Sequence, residues 1–280
     1  FLMIRRPPRS TPYTCRRQRQ MCIRDSLERA HASPNYHIGE FINRLPHPPL
    51  ELGDAWGYFK EQLFGDQLRV PPTVIPVSAL PPALLQAPPS SDPRAIWFGH
   101  SSVYVELEGL RFFIDPVFSD YVSPINGIGP KRSHPPLTAL KDLPRIDVVL
   151  ISHDHYDHLD MQTVRYLSGK GTRFLVPLGV GAHLDEWDVP KTQVTEMDWW
   201  ESTEIGGVTV VCTPAQHYSS RGLFDYKATF NIAFHDWDEP IRRAVRAANE
   251  KNVELVTPRV GDIVVAGRPF ESHNLWEEVE

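Results

Sequence analysis

The sequence predicts an α/β fold, a sandwich of β-sheets flanked by helices with its chemistry at strand ends. Three observations predict it. Short apolar or alternating segments recur from residue 95 onward, punctuated by Gly, Asp and Pro. A continuous apolar strand over 147–151 runs directly into a segment holding His153, His155, Asp157 and His158. A helix pattern and another apolar strand follow, which sets that polar segment at the edge of a sheet.

The elements follow in order. Residues 95–98 read as a first strand. Over 102–108, Val103, Val105 and Leu107 alternate with polar partners, the signature of a half-buried strand. Gly109 marks a turn, and 111–114 returns as the hairpin partner, ended by Asp115-Pro116. Residues 161–167 form a helix capped by Asp160. Residues 173–176 and 208–213 are further strands. Glu239-Pro240 introduces an amphipathic helix over 239–249. Strands over 253–257 and 263–265 complete the pattern, and there is no internal repeat.

The first ninety residues read differently. Met3–Thr11 (MIRRPPRST) and Arg16–Asp25 (RRQRQMCIRD) resemble translated sequencing-library adapters, so residues 1–26 are set aside as a fusion scar and the native N-terminus is taken as missing. A basic targeting arm is the alternative. Residues 27–93 form a Pro-rich arm, with eleven prolines from Pro46 to Pro93. Proline fixes φ and removes a backbone donor, which disfavours long helices and central strands there. One short helix fits 54–63, where Trp56, Phe59 and Leu63 share a face. The arm is expected to lie over the main domain, residues 94–280.

Without residues 1–26, which hold seven Arg and one Asp, 22 basic and 34 acidic side chains remain, a net charge of −12. Such a surface repels phosphate backbones and anionic headgroups, so a nucleic-acid partner is not expected. Cys212 is then the only cysteine, which excludes an internal disulfide and suits a reducing compartment. No apolar run is long enough to span a bilayer. A cytoplasmic location is the default expectation, with a small-molecule or lipid-like substrate as partner. The sequence leaves the oligomeric state open.

Imidazoles at i and i+2 on a tightly turned segment reach one Zn²⁺ at about 2.0–2.1 Å. His153 and His155 have that spacing, and Asp157 and His158 then face a second position beside it. His217 follows the 208–213 strand and completes a three-His set with one coordination position open for water. Water so held ionises near neutral pH, and Asp157 is the candidate catalytic residue that orients it or moves its proton. His100 is a candidate for contact with substrate or with a ligand, or else a structural histidine. Asp115 orients a ligand His or caps a turn, and Tyr156 reaches a substrate oxygen or packs. Trp187, Trp199 and Trp200 are assigned to the core, and His134 and His235 to the surface.

The run His153-Asp154-His155-Tyr156-Asp157-His158 matches the HxHxDH signature of the metallo-β-lactamase superfamily. Trp97-Phe98-Gly99-His100-Ser101, residues 113–119 (FIDPVFS), His134-Pro135-Pro136 and residues 214–219 (PAQHYS) resemble one branch of it, the N-acyl-phosphatidylethanolamine phospholipase D-like proteins, with a lactonase group nearby. The resemblance covers roughly residues 30–270. It implies an αββα metallo-β-lactamase fold, two zinc ions and hydrolysis of a phosphodiester or related ester. His153, His155 and His217 would hold the first ion, and Asp157 and His158 the second.

The sequence departs from that branch after His217. The branch carries a strand ending in a metal-bridging Gly-Asp and then a His-Trp-(Gly/Ala)-Thr-Phe segment. Here residues 221–225 (RGLFD) run straight into Tyr226-Lys227-Ala228-Thr229-Phe230, with Tyr226 where the His should stand and Lys227 where the Trp should. The simplest account is an internal deletion after residue 225, leaving the domain incomplete. Asp225 is one candidate for the bridging carboxylate, and Gly261-Asp262 reads as a turn. One zinc is therefore expected to bind well. The readings that follow are a zinc-dependent phosphodiester or phospholipid hydrolase, impaired in this chain, a lactonase or other ester hydrolase, and a non-catalytic mononuclear zinc-binding remnant.

Overall fold

The computed structural model describes residues 26–37, 40–42, 71–123, 131–215, 217, 238–273 and 277. The expected helix over 54–63, nearly all of the set-aside segment, and Asp225, Tyr226, Lys227 and His235 lie outside the described residues.

A short hairpin, β1 (Tyr36–His37) and β2 (Glu40–Phe41), and a one-turn helix α1 (Pro82–Gln86) precede the main sheet. The sheet is built from β3 (Arg94–Gly99), β4 (Ser102–Leu107), β5 (Leu110–Ile114), β6 (Val148–Leu150), β7 (Arg173–Pro177), β8 (Val194–Met197) and, at the far end of the chain, β11 (Ile263–Val265). Its order is β11-β3-β4-β5-β6-β7-β8. The first four of these strands pair antiparallel, and β5 through β8 pair parallel. A second sheet pairs β9 (Ser202–Ile205) with β10 (Val208–Val211). Helices α2 (Met161–Ser168) and α3 (Gly181–Glu186) connect β6 to β7 and β7 to β8, and α4 (Glu239–Glu250) follows β10.

Residue alternation sorts the side chains of the main sheet between two cores. Ile96, Phe98, Tyr104, Phe113, Val149, Phe174 and Val176 pack with Val164 and Leu167 of α2 and Leu184 of α3. Phe112, Val148 and Leu175 point the other way, onto Met197, Ile205, Val208 and Val210. Neighbours such as Phe112 and Phe113 thus serve opposite faces, as the period of two in a strand requires. Fully burying each large apolar side chain contributes about 1.5–3 kcal/mol. The result is an α/β sandwich: helices on one face of a mixed sheet, and a smaller sheet against the other. No helix among the described residues is long and apolar enough to cross a membrane.

The arm touches this body where it is described. Arg29 pairs with Glu201 at 2.7 Å and donates to Glu196 O at 3.0 Å, and Ala30 is buried.

Several sequence expectations need correction. Residues 253–257 form no strand; the outer edge of β3 pairs with β11, and the segment is held by Thr257, which exchanges bonds with Ser272 and His273. Strands β8 and β9 and helix α3 were not expected, since their short, Thr- and Glu-bearing sequences carry little periodic signal. Trp200 is 60% exposed at φ 72°, on a turn, whereas Trp187 is buried in the core as expected. His134 is not a surface residue but is 6% exposed. Its ring packs on Gly99, where an added Cβ would lie 2.0 Å from His134 Nε2 and where φ is +96°, so the position admits only glycine.

Candidate metal centre

Three parallel strand ends meet at one edge of the sheet. β3 and β5 both run antiparallel to β4, and β6 runs parallel to β5, so their C-terminal ends coincide. β3 delivers His100, β5 delivers Asp115, and β6 delivers the loop 152–160. His217 comes from the segment after β10, in the other sheet.

The loop is shaped before any ligand binds. His158 N and Leu159 N both donate to His155 O, at 3.1 and 2.8 Å, which closes a tight turn. Leu159 is fully buried and anchors the exit. Asp160 caps α2, accepting from Gln162 N at 3.1 Å and from the Thr163 hydroxyl at 2.7 Å. The same carboxylate accepts from Phe118 N and Ser119 N, tying the segment after β5 to the start of the helix.

His153, His155 and His217 each offer a nitrogen, and these lie within 4.8 Å of one another. His217 Nε2 stands 3.3 Å from His155 Nδ1. His153 Nδ1 lies 2.9 Å from Ser152 Oγ, while its Nε2 is buried without a partner. A second group, His100, Asp157 and His158, has ligand atoms within the same 4.8 Å limit. His100 Nε2 is 2.8 Å from Asp157 Oδ2, and His158 Nε2 is 3.7 Å from that oxygen. The rings of His153 and His158 are 4.0 Å apart, so the two groups adjoin.

Behind them sits Asp115, 3% exposed and held at φ 40°. Its Oδ1 accepts from Ser152 N at 2.7 Å, and its Oδ2 accepts from the Ser152 hydroxyl at 2.6 Å. Oδ2 also lies 2.8 Å from His158 Nδ1. An ionised carboxylate only accepts, so His158 Nδ1 carries the proton and Nε2 presents its lone pair to Asp157. The Ser152 hydroxyl spends its proton on Asp115, so His153 Nδ1 donates to Ser152 Oγ and His153 Nε2 is likewise left as a lone pair. Ser152 was not singled out in the sequence. Its signal was position alone, between the apolar strand and the first histidine.

Electrostatics favour the ligand state. Burial, followed by the nearby imidazoles of His158, His155 and His217, pushes His153 down to about 3. Burial first, then His217, lowers His155, and burial first, then His158, lowers His217. Burial alone would raise Asp157, but the hydrogen bond from His100 and the positive side of His158 outweigh it and hold the carboxyl at about 2. At neutral pH His153, His155 and His217 are therefore neutral imidazoles and Asp157 an anionic carboxylate, the donor set that a divalent transition ion takes. His153 Nε2 in the first group and Asp157 Oδ1 in the second are buried without a partner, which suits atoms that hold an ion and would otherwise cost their full desolvation.

Of the other expected residues, Tyr156 is half-buried on the turn, and Gly261-Asp262 forms a turn in which Asp262 accepts from Ser78 Oγ and Arg259 N.

Comparison with known proteins gives the family. A β-lactamase superfamily domain profile matches residues 110–235. An uncharacterised protein of Mycobacterium tuberculosis is 44% identical over 200 residues, covering 68% of this chain and 51% of its own length. A Caenorhabditis elegans N-acyl-phosphatidylethanolamine-hydrolyzing phospholipase D is 40% identical over 141 residues, 47% of this chain and 40% of that one. A metal-dependent hydrolase of Pyrobaculum neutrophilum is 31% identical over 176 residues, 61% of this chain and 73% of that one. The chain spans about half the length of the mycobacterial relatives it matches. With the sandwich, the histidine edge and these relatives together, the chain belongs to the β-lactamase superfamily.

Proposed function

We propose that this chain is a zinc-dependent hydrolase of phosphodiester or phospholipid-like substrates, with His153, His155 and His217 as the ligands of its first ion. The observation that carries the reading is the convergence of three neutral imidazoles within 4.8 Å, with the buried lone pair of His153 among them. Three histidines with an open fourth position are the usual catalytic zinc arrangement. When bound there, zinc supplies a Lewis acid and brings the pKa of coordinated water near 7.

The side chains divide the remaining work. Ser152 and Asp115 hold the rings of His153 and His158 in the ligating tautomer. Asp157, anionic at neutral pH, accepts a hydrogen bond from the attacking water and orients it. Tyr156, on the same turn, is assigned the contact to a substrate oxygen. The likeness to a phospholipid-hydrolysing relative supports the substrate class.

The test is hydrolysis of bis(p-nitrophenyl) phosphate and of a phosphatidylethanolamine derivative by metal-stripped protein, with and without added Zn²⁺. Zinc-dependent turnover of the phosphodiester supports the reading. Turnover of a lactone but of neither phosphodiester would move the assignment to an ester hydrolase on the same scaffold. Zinc binding without turnover of any of them would leave a non-catalytic zinc protein.

A further inference from the structure

The geometry points to His100 as the third ligand of a second divalent cation, held between His100 Nε2, the Asp157 carboxylate and His158 Nε2. The inference deepens the proposed zinc-hydrolase reading and rests on it for the adjoining ion.

The sequence alone leaves this second position with two ligands, Asp157 and His158, because Tyr226 stands where a further histidine is expected. The fold brings in another from a distance of 57 residues. His100 follows directly on β3, at φ 48° after Gly99 at φ 96°, and its carbonyl accepts from Trp97 Nε1 at 2.8 Å. Its Nε2 ends 2.8 Å from Asp157 Oδ2, and all three ligand atoms of the group lie within 4.8 Å of one another.

Two of the three members are already in the state a cation needs. Asp115 fixes His158 through Nδ1 and leaves Nε2 as a lone pair. Asp157 is 6% exposed, and its Oδ1 is buried without a partner, so one of its oxygens is aimed into the site with nothing to bind. In the metal-free chain His100 Nε2 carries the proton it shares with Asp157; a cation replaces that proton and takes both lone pairs. Two imidazoles and one carboxylate suit a borderline transition ion such as Zn²⁺ or Co²⁺, in contrast to the all-oxygen shells of Mg²⁺ and Ca²⁺. The 4.0 Å between the His153 and His158 rings sets the two positions side by side, as in paired-metal hydrolases.

The experiment is equilibrium dialysis of the metal-stripped full chain against Co²⁺, with the bound metal counted and the visible absorption recorded. The wild type is expected to bind two ions per chain, one tightly and one more weakly. His100→Asn and His100→Gln should keep the tight ion and bind the weaker one at least about tenfold less well, as the loss of one ligand implies. Asn tolerates the left-handed backbone at this position, and Gln keeps the reach of the side chain, so two different risks to folding are covered. Their absorption should lose the component that the second equivalent adds in the wild type. His153→Ala should lose the tight ion instead. Wild-type stoichiometry and affinity in both His100 variants would overturn the inference. So would a wild type that saturates at one ion, with the first centre left standing. A wild type that binds none would overturn the zinc-hydrolase reading itself.

Discussion

The two ligand groups at the sheet edge differ in how they are held. His100, Asp157 and His158 come from one sheet, with His158 bonded to the buried Asp115 and His100 to Asp157 itself. His153, His155 and His217 draw on both sheets, and His217 is exposed at the end of the short β10 segment. One group is thus braced by carboxylates, while the other gathers neutral rings that run from the buried His155 to the exposed His217. The lesson is that affinity and alignment are separable. Desolvated neutral imidazoles meet little competition from protons, so a metal binds them readily. A carboxylate behind a ring fixes its angle and tautomer.

The sharpest way to break the comparison is to remove a ring from the neutral group. His153→Ala should abolish zinc-dependent hydrolysis, a fall of at least about 100-fold, because the open-site geometry needs all three histidines. Bound metal per chain and turnover are measured together, and retention of both would refute the assignment.

Next in size is the bracing. Asp115→Asn keeps a residue that tolerates φ 40° but replaces one accepting oxygen with a donor. Metal affinity should fall about 10–100-fold, the usual cost of losing such an outer carboxylate. Competition against a chromogenic chelator reads it, and an unchanged affinity would mean that Asp115 serves the turn alone.

The pH dependence sharpens the contrast. His153 is lowered to about 3 in the folded chain, against about 6.5 unfolded. A depressed histidine leaves stability intact above the unfolded value, where neither state takes the proton. As pH falls below about 6.5 the unfolded chain binds protons that the folded chain refuses, and the loss accumulates down to about 3. Asp157, at about 2, adds a further loss as pH drops below its unfolded value of about 4. The metal-free chain should therefore melt at progressively lower temperature from pH 6.5 to pH 3. A flat melting curve over that range would show that the rings are more solvated than their burial indicates.

The smallest expected effect is in the scaffold. Asp160→Ala removes the α2 cap and costs about 1–2 kcal/mol in a denaturant titration. It should disturb the metal sites less than Asp115→Asn does, since its bonds reach Phe118, Ser119 and Thr163 and no metal-facing ring.

The features legible in the sequence are the local ones. The strand before His153, the spacing of His153, His155, Asp157 and His158, the Asp160 cap and the alternation through Val103, Val105 and Leu107 each lie within about ten residues of chain, the range over which periodicity and capping act. They were enough to indicate an α/β sandwich and a metal loop at a strand end. The strand expected over 253–257 is absent, and the outer edge of β3 pairs with β11 instead. Local pattern does not record which segment an edge takes.

What the tertiary structure alone decided is which distant side chains converge. His100 meets Asp157 across 57 residues, Asp115 meets His158 across 43, and His217 meets His155 across 62. Parallel and antiparallel pairing set these meetings by bringing the ends of β3, β5 and β6 to one edge. The burial of His134 against Gly99 has the same origin. The chemical identity of the donors was written in the sequence; their partners, tautomers and desolvation are properties of the packed edge, because hydrogen bonding and burial depend on distance in space and not along the chain.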